Sequence, residues 1–327
     1  MLHGSEKFEY FLRLCHKYNF RNSEWFGGMY FDDCGDICIW VAEDCQVQCT
    51  EIMKNLDGFI HFKKGKYSFR QLNKLCAEIL SASASTARGI VGAGIDGKNN
   101  RITLAVTDDF HDEETLSVRD EFSVERFEWL KTNISMQPSD RLSNGNCFFI
   151  SGYPVKSGKN VRGFVTAGHL SEIEKEMPVF FDAEEIGSVR DFEFSDVMDA
   201  AFIELNDSSK CSDIVSTVPN PHINGLTPEF ICGAAAEMYS SNNGGARVGR
   251  IVYPSFSFMN LKDIIVCSYS ASAGDSGAPI LIPFPSGEYA LAGIHLGTFS
   301  LGGKVYSYGR TAESINARFS LELDIKK

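Results

Sequence analysis

From Cys147 onward, glycine-containing turns cut the chain into short β-rich runs, as in "SNNGGARVGRIV" and "SLGGKVYSYG". Runs this short, bounded by turn residues, do not make helices, and they predict a β-barrel or sandwich. The chain before them has another texture. "WFGGMYFDDCGDICIWVAED" (25–44) and "IVGAGIDGKNNRITLAVTDD" (90–109) share one pattern: glycines, an apolar residue, an aspartate, a polar turn, then a β-rich run ending in an acidic pair. Each predicts a β-hairpin, with turns at Asp33–Asp36 and Asp96–Asn100. Between these two units, "SFRQLNKLCAEILSAS" places Leu72, Leu75, Cys76, Ile79 and Leu80 at helical spacing behind a serine that can cap. "SVERFEWLK" (123–131) fits a second helix or a short strand. The expected fold class is an α+β domain over 1–132 followed by an all-β domain over 133–327. The break falls in the polar stretch "TNISMQPSDRLSNGNC" (132–147).

Composition excludes several partners. With 43 acidic against 31 basic residues the net charge is -12, which disfavours nucleic acid and anionic membrane surfaces and leaves proteins and small molecules. No segment approaches the roughly 18 to 20 apolar residues needed to span a bilayer. The opening "MLHGSEKFEYFLRLCHKYNF" carries charges throughout and does not read as a signal peptide. Cys34, Cys38, Cys45 and Cys49 follow C-x3-C-x6-C-x3-C. That is not the usual zinc knuckle, and Cys38 sits in a strand-like run, so buried thiols are the better reading and no metal is expected.

The stretch "ASAGDSGAPIL" (271–281) raises the chemical question. A serine hydroxyl becomes a nucleophile only with a base, a group that orients the base, and donors for an oxyanion. The second half offers a candidate for each role. His169 lies in "FVTAGHLSE", where a β-rich run meets small residues. Asp199 lies in "SDVMDAAFIEL", just before another apolar run, with Asp196 its nearest rival. Gly274 and Ser276 can present backbone N–H groups into one pocket, because glycine permits the backbone conformation this requires. Each signal alone has an ordinary explanation in a cap, a turn or a packed histidine. The joint order His, Asp, Ser is what carries weight.

With "TAGH", "DAAFIEL" and "GDSGAP" in the three signature places, the second half resembles the trypsin-like serine proteases. The resemblance implies a chymotrypsin-like double β-barrel of six strands each, with His169 as general base, Asp199 as orienting carboxylate, Ser276 as nucleophile and the amides of Gly274 and Ser276 as oxyanion hole. No cofactor is implied. The two hairpins and the helix are similar to the two-part pro-region of the streptogrisin and α-lytic protease group, and "ISMQPSDRLSNGNCFFISGYPV" resembles the start of its mature enzymes. This implies an N-terminal domain that assists folding and blocks the cleft, product-like, until cleavage near Asn133 or Ile134. Protein or peptide is the implied substrate.

The departures from that family are informative. Leu170 stands where secreted members place a cysteine after the histidine, so Cys147 lacks that mate; Cys232 and Cys267 also lack theirs. Bridges worth about 2 to 5 kcal/mol each in small secreted domains are therefore not expected. With no visible signal peptide, the expectation is a reducing, cytoplasmic setting. In "AGIHLGT" (292–298), the run from Gly293 to His295 resembles the strand lining the primary specificity pocket, and His295 resembles the histidine with which relatives contact a glutamate or glutamine before the cut. Ala271 stands where glutamyl members place a hydroxyl. The alternative from a different class is a catalytically silent binding or scaffold protein on the same fold.

Overall fold

The computed structural model describes residues 15, 19–20, 23–32, 34, 36–42, 60–82, 89–107, 110, 127–131, 137–138, 152–158, 161–169, 173–181, 184–207, 223–226, 231–240, 245–259, 261–284 and 287–324. In its first part, β1 (Phe26–Phe31) and β2 (Ile37–Ala42) form one antiparallel hairpin, and β4 (Ile90–Asp96) and β5 (Arg101–Val106) form the other. Both expected turns fall where predicted, with Phe31 opposite Ile37 and Asp96 opposite Arg101. The repeat goes further than the sequence pattern. A third strand pairs in parallel with each hairpin, β3 (Ile60–Gly65) on β2 and β6 (Phe127–Lys131) on β5. "FEWLK" is thereby a strand rather than a helix, because β5 offers it a ladder edge.

The turns use aspartate in the same way twice. Asp32 Oδ1 accepts the N–H groups of Cys34 and Asp36, and Asp96 Oδ1 accepts those of Lys98 and Asn99. Asn100, at φ 49° and fully buried, joins the hairpins: its amide oxygen takes the Tyr67 N–H and its Nδ2 donates to the carbonyls of Gly27 and Tyr67. Helix α1 (Phe69–Ser81) begins as expected. Ser68 Oγ accepts the Gln71 N–H while Gln71 Oε1 accepts the Ser68 N–H, a reciprocal cap worth about 1 kcal/mol. It buries Phe69, Leu72, Cys76 and Ile79, with Leu75 and Leu80 packed at the edge.

The remaining strands are β7 (Gln137–Pro138), β8 (Tyr153–Ser157), β9 (Arg162–Thr166), β10 (Pro178–Phe181), β11 (Glu184–Phe194), β12 (Asp199–Leu205), β13 (Ile223–Leu226), β14 (Ile231–Cys232), β15 (Ala235–Ser240), β16 (Gly245–Phe258), β17 (Leu261–Cys267), β18 (Pro279–Pro283), β19 (Tyr289–Leu301), β20 (Lys304–Thr311) and, after helix α2 (Ala312–Phe319), β21 (Leu321–Leu323). Twelve of them form two sheets. One is a six-stranded sheet ordered β10-β11-β12-β9-β8-β21; the other runs β15-β18-β19-β20-β17-β16, and pairing of β15 with β16 closes it into a six-stranded ring.

The ladder does not stop at the ring. β4 adds to β16, with Gly92, Ala93 and Gly94 opposite Phe258, Ser257 and Phe256, and β1 adds in parallel to β14. Glycine is required at 94, where a Cβ would stand 2.1 Å from the Phe256 ring. One buried cluster runs from Phe26, Ile39 and Leu72 to Met238, Ile251 and Ile280, so the two parts share a core. The expected break at 132/133 and the expected cleavage near Asn133 or Ile134 lie outside the described residues. So does "DDFHDEETLSVRDEF" (108–122), except for buried Phe110.

Of the ten cysteines, Cys15, Cys38, Cys76, Cys232 and Cys267 are buried and free, and Cys34, expected to be a buried thiol, is exposed at the first turn; Cys45, Cys49, Cys147 and Cys211 are outside the described residues. Burial pushes the thiols of Cys76 and Cys232 up to about 12. Among the described residues no cluster of three or more His, Cys, Asp or Glu could hold a metal, and no helix is long and apolar enough to cross a membrane.

Candidate active site

Antiparallel pairing builds the first half of the site. Thr166, the last residue of β9, lies opposite Ala201 in β12. The chain three residues beyond Thr166 and the start of β12 therefore meet at one end of the sheet. His169 Nδ1 stands 2.7 Å from Asp199 Oδ2, while Asp199 Oδ1 accepts the backbone N–H groups of Gly168 at 2.8 Å and His169 at 2.9 Å. The small residues of "TAGH" are explained by this closeness: a Cβ on Gly168 would come 2.4 Å from the Glu193 carbonyl and 2.7 Å from the Ala200 nitrogen. Asp199 is buried, and the half-buried His169 ring lies 6.1 Å from the ring of Phe194, which is 62% exposed. Asp196, the rival aspartate, is exposed in the turn between β11 and β12.

The second half of the site comes from the ring. Gly274 and Gly277 flank Asp275 and Ser276 at φ 89° and 92°, left-handed conformations that glycine adopts without strain. The Gly277 N–H donates to the His295 carbonyl and the His295 N–H to the Ala278 carbonyl, each at 2.8 Å, which pins the "GDSG" turn to β19. Ser276 Oγ donates to the Leu296 carbonyl at 3.2 Å. Asp275 is fully buried; its Oδ1 accepts the Ser240 hydroxyl at 2.5 Å and its Oδ2 the Ser272 N–H at 2.8 Å.

His295 lies inside, only 2% exposed, with Nδ1 3.3 Å from the Tyr269 hydroxyl. Burial lowers its pKa to about 4; Asp275 opposes the shift and the charge of His169 adds to it. That last effect places the two imidazoles within electrostatic reach of one another. Burial also raises the Tyr269 hydroxyl well above its ordinary value. Ala271 is half-buried against the shared core. Gly293 belongs to the β19–β20 ladder, where a Cβ would meet the Arg310 carbonyl at 1.9 Å, so strand packing already demands glycine there.

Sequence reasoning passed over Tyr269, Ser240 and Phe194, whose neighbours come from elsewhere in the fold. It also passed over the pairing of β7 with β19, in which Gln137 and Pro138 lie opposite Thr298 and Gly297.

No family model matches the chain, and no curated protein matches it. The solved structures to which it is similar include chymotrypsin-fold serine proteases. They include Nocardiopsis protease (19% identity, 53% of this chain and 90% of that one, TM-score 0.40). Thermobifida fusca protease A is another (18%, 59% and 100%, 0.44), as is an α-lytic protease homologue (12%, 57% and 98%, 0.40). Scores no higher than 0.44 leave function to the chemistry of the site.

Proposed function

We propose that the chain is a serine endopeptidase, held latent by its own N-terminal part. One observation carries the reading: both oxygens of Asp199 are spent on the His169 loop, one on Nδ1 and one on the two backbone amides. A carboxylate used this way fixes the Nδ1–H tautomer and leaves Nε2 as the basic nitrogen. His169 then takes the Ser276 hydroxyl proton as Oγ attacks the peptide carbonyl. The N–H groups of Gly274 and Ser276 receive the oxyanion, and the imidazolium returns the proton to the leaving amine. Water, deprotonated by the same imidazole, releases the acyl group. At rest the Ser276 hydroxyl is turned to the Leu296 carbonyl, and giving up that bond costs about 1 kcal/mol.

Latency follows from strand addition. A peptide entering beside Ser276 would lie along β19 near Leu296. Gln137 and Pro138, which follow the expected boundary at 132/133, already pair with the next two residues of that edge, so the blocking segment takes in the first residues of the second part as well. For the residue before the cut, glutamate or glutamine remains the reading from His295. Burial keeps that imidazole neutral, so it would contact either side chain through a single N–H, and the bond to an ionised carboxylate is the stronger of the two.

Intact-mass spectrometry with a fluorophosphonate probe tests this directly, with Ser276→Ala as control. A single adduct on the wild-type chain alone is expected. Absence of an adduct, both on the full chain and after proteolytic nicking between Pro138 and Tyr153, would leave the silent binding protein as the reading.

A further inference from the structure

Arg310 is a fully buried guanidinium in β20, 1% exposed. Nη1 donates to the carbonyls of Lys262 and Asp263, whereas Nε and Nη2 are buried with no hydrogen-bond partner among the described residues. An arginine is rarely left this way, because each unmade bond to a buried charged donor costs more than 1 kcal/mol. The residue it braces points toward the site. The Lys262 N–H donates to the Asp196 carbonyl at 3.1 Å, in the turn that leads into Asp199. Arg310 in the ring is thus two hydrogen bonds from the turn that positions the Asp199 carboxylate in the sheet.

The charged and titratable groups around Arg310 are Asp263 on β17, Asp199 on β12, Tyr308 on β20 and Glu193 on β11. Glu193 is itself paired with Arg318 at 2.6 Å. Those around His169 include Asp199 and His295. Burial pushes Arg310 below its ordinary value, while Asp263 and then Asp199 pull it back up. Burial and the Asp199 charge raise the Tyr308 hydroxyl to about 12, against Arg310. Asp199 and Arg310 therefore share one buried field.

We propose that Arg310 is a positioning residue for the His169–Asp199 pair, bracing the turn before Asp199 and supplying a fixed positive charge within its field; this rests on the hydrolase reading. Removing the charge withdraws support from the Asp199 carboxylate and repulsion from an imidazolium at His169. Both changes move the acid limb of kcat/KM to higher pH.

The test compares Arg310→Gln, which keeps donors without charge, with Arg310→Lys, which keeps charge without the fork. Each is checked for folding by thermal melt. In Arg310→Gln the acid limb is expected to rise by roughly one pH unit, the scale of a unit charge across about 10 Å at an effective dielectric near 20. Arg310→Lys is expected to lower kcat and leave the limb in place. A limb unmoved in Arg310→Gln, or displaced as far in Arg310→Lys, overturns the proposal. If Arg310→Gln does not fold, the Lys variant still decides, since a displaced limb overturns the proposal and an unmoved limb with lowered kcat supports it. If the wild type neither hydrolyses peptide nor takes the fluorophosphonate, the hydrolase reading falls. The downfield Nδ1 proton resonance of His169 then still reports on Arg310, and an identical pH response in all three proteins overturns the inference.

Discussion

The site holds two histidines in opposite circumstances. His169 stands at the end of a sheet, half-buried, with a carboxylate 2.7 Å from Nδ1. His295 stands inside a closed ring, 2% exposed, with a tyrosine hydroxyl 3.3 Å from the same ring nitrogen. A carboxylate stabilises an imidazolium, which is what the role of base proposed for the first ring requires. A hydroxyl in a dry interior does not, so the second ring stays neutral and can offer only a single N–H. Chemistry is thus assigned by the partner and the solvent, not by the residue type.

The largest effect expected from breaking this contrast is at Asp199. Asp199→Asn leaves the shape but no longer fixes the tautomer, and kcat/KM should fall by about 10^4-fold, the loss known for this change in other triads. Hydrolysis of a peptide ester with active-site titration checks it; a loss under tenfold would remove His169 from the role of base.

Next comes the neutral ring. With the folded value near 4 and the ordinary value 6.5, unfolded His295 binds more protons in that window. Its contribution to stability is therefore complete above about 6.5 and lost as pH falls toward 4, on the order of 3 kcal/mol in total. Urea unfolding at several pH values should show this slope in the wild type and a flatter one in His295→Phe. Equal slopes would mean that the ring is hydrated and able to charge.

A smaller effect is expected where the N-terminal part meets the ring. Gly94→Ala places a methyl against the Phe256 ring and should cost about 1 to 3 kcal/mol, read as a lower Tm of one cooperative transition. Two separate transitions would show that the shared core is not a single folding unit.

The smallest concerns β7. Pro138→Gly frees the chain by about 0.4 to 1 kcal/mol, so release from the β19 edge should become easier and kcat/KM should rise about two- to fivefold. An unchanged rate would separate the pairing from latency.

Much of this is legible in the amino-acid sequence. The hairpin turns, the capped helix and the order of His169, Asp199 and Ser276 are written in short windows, because turn chemistry, helical spacing and small residues beside a loop act over a few positions. What the windows could not hold is β3, or the choice of strand over helix for β6, both of which depend on an open ladder edge, and the addition of β4 to β16, which joins residues more than 150 apart in sequence. Tyr269 against His295, Gln137 and Pro138 along β19, and the burial of Arg310 have the same origin. By itself the sequence determined which side chains could do chemistry and which local shapes they occupy. Only the tertiary structure decided which of them are dry, charged and paired, because desolvation and long-range ladders are properties of what the fold places opposite a residue.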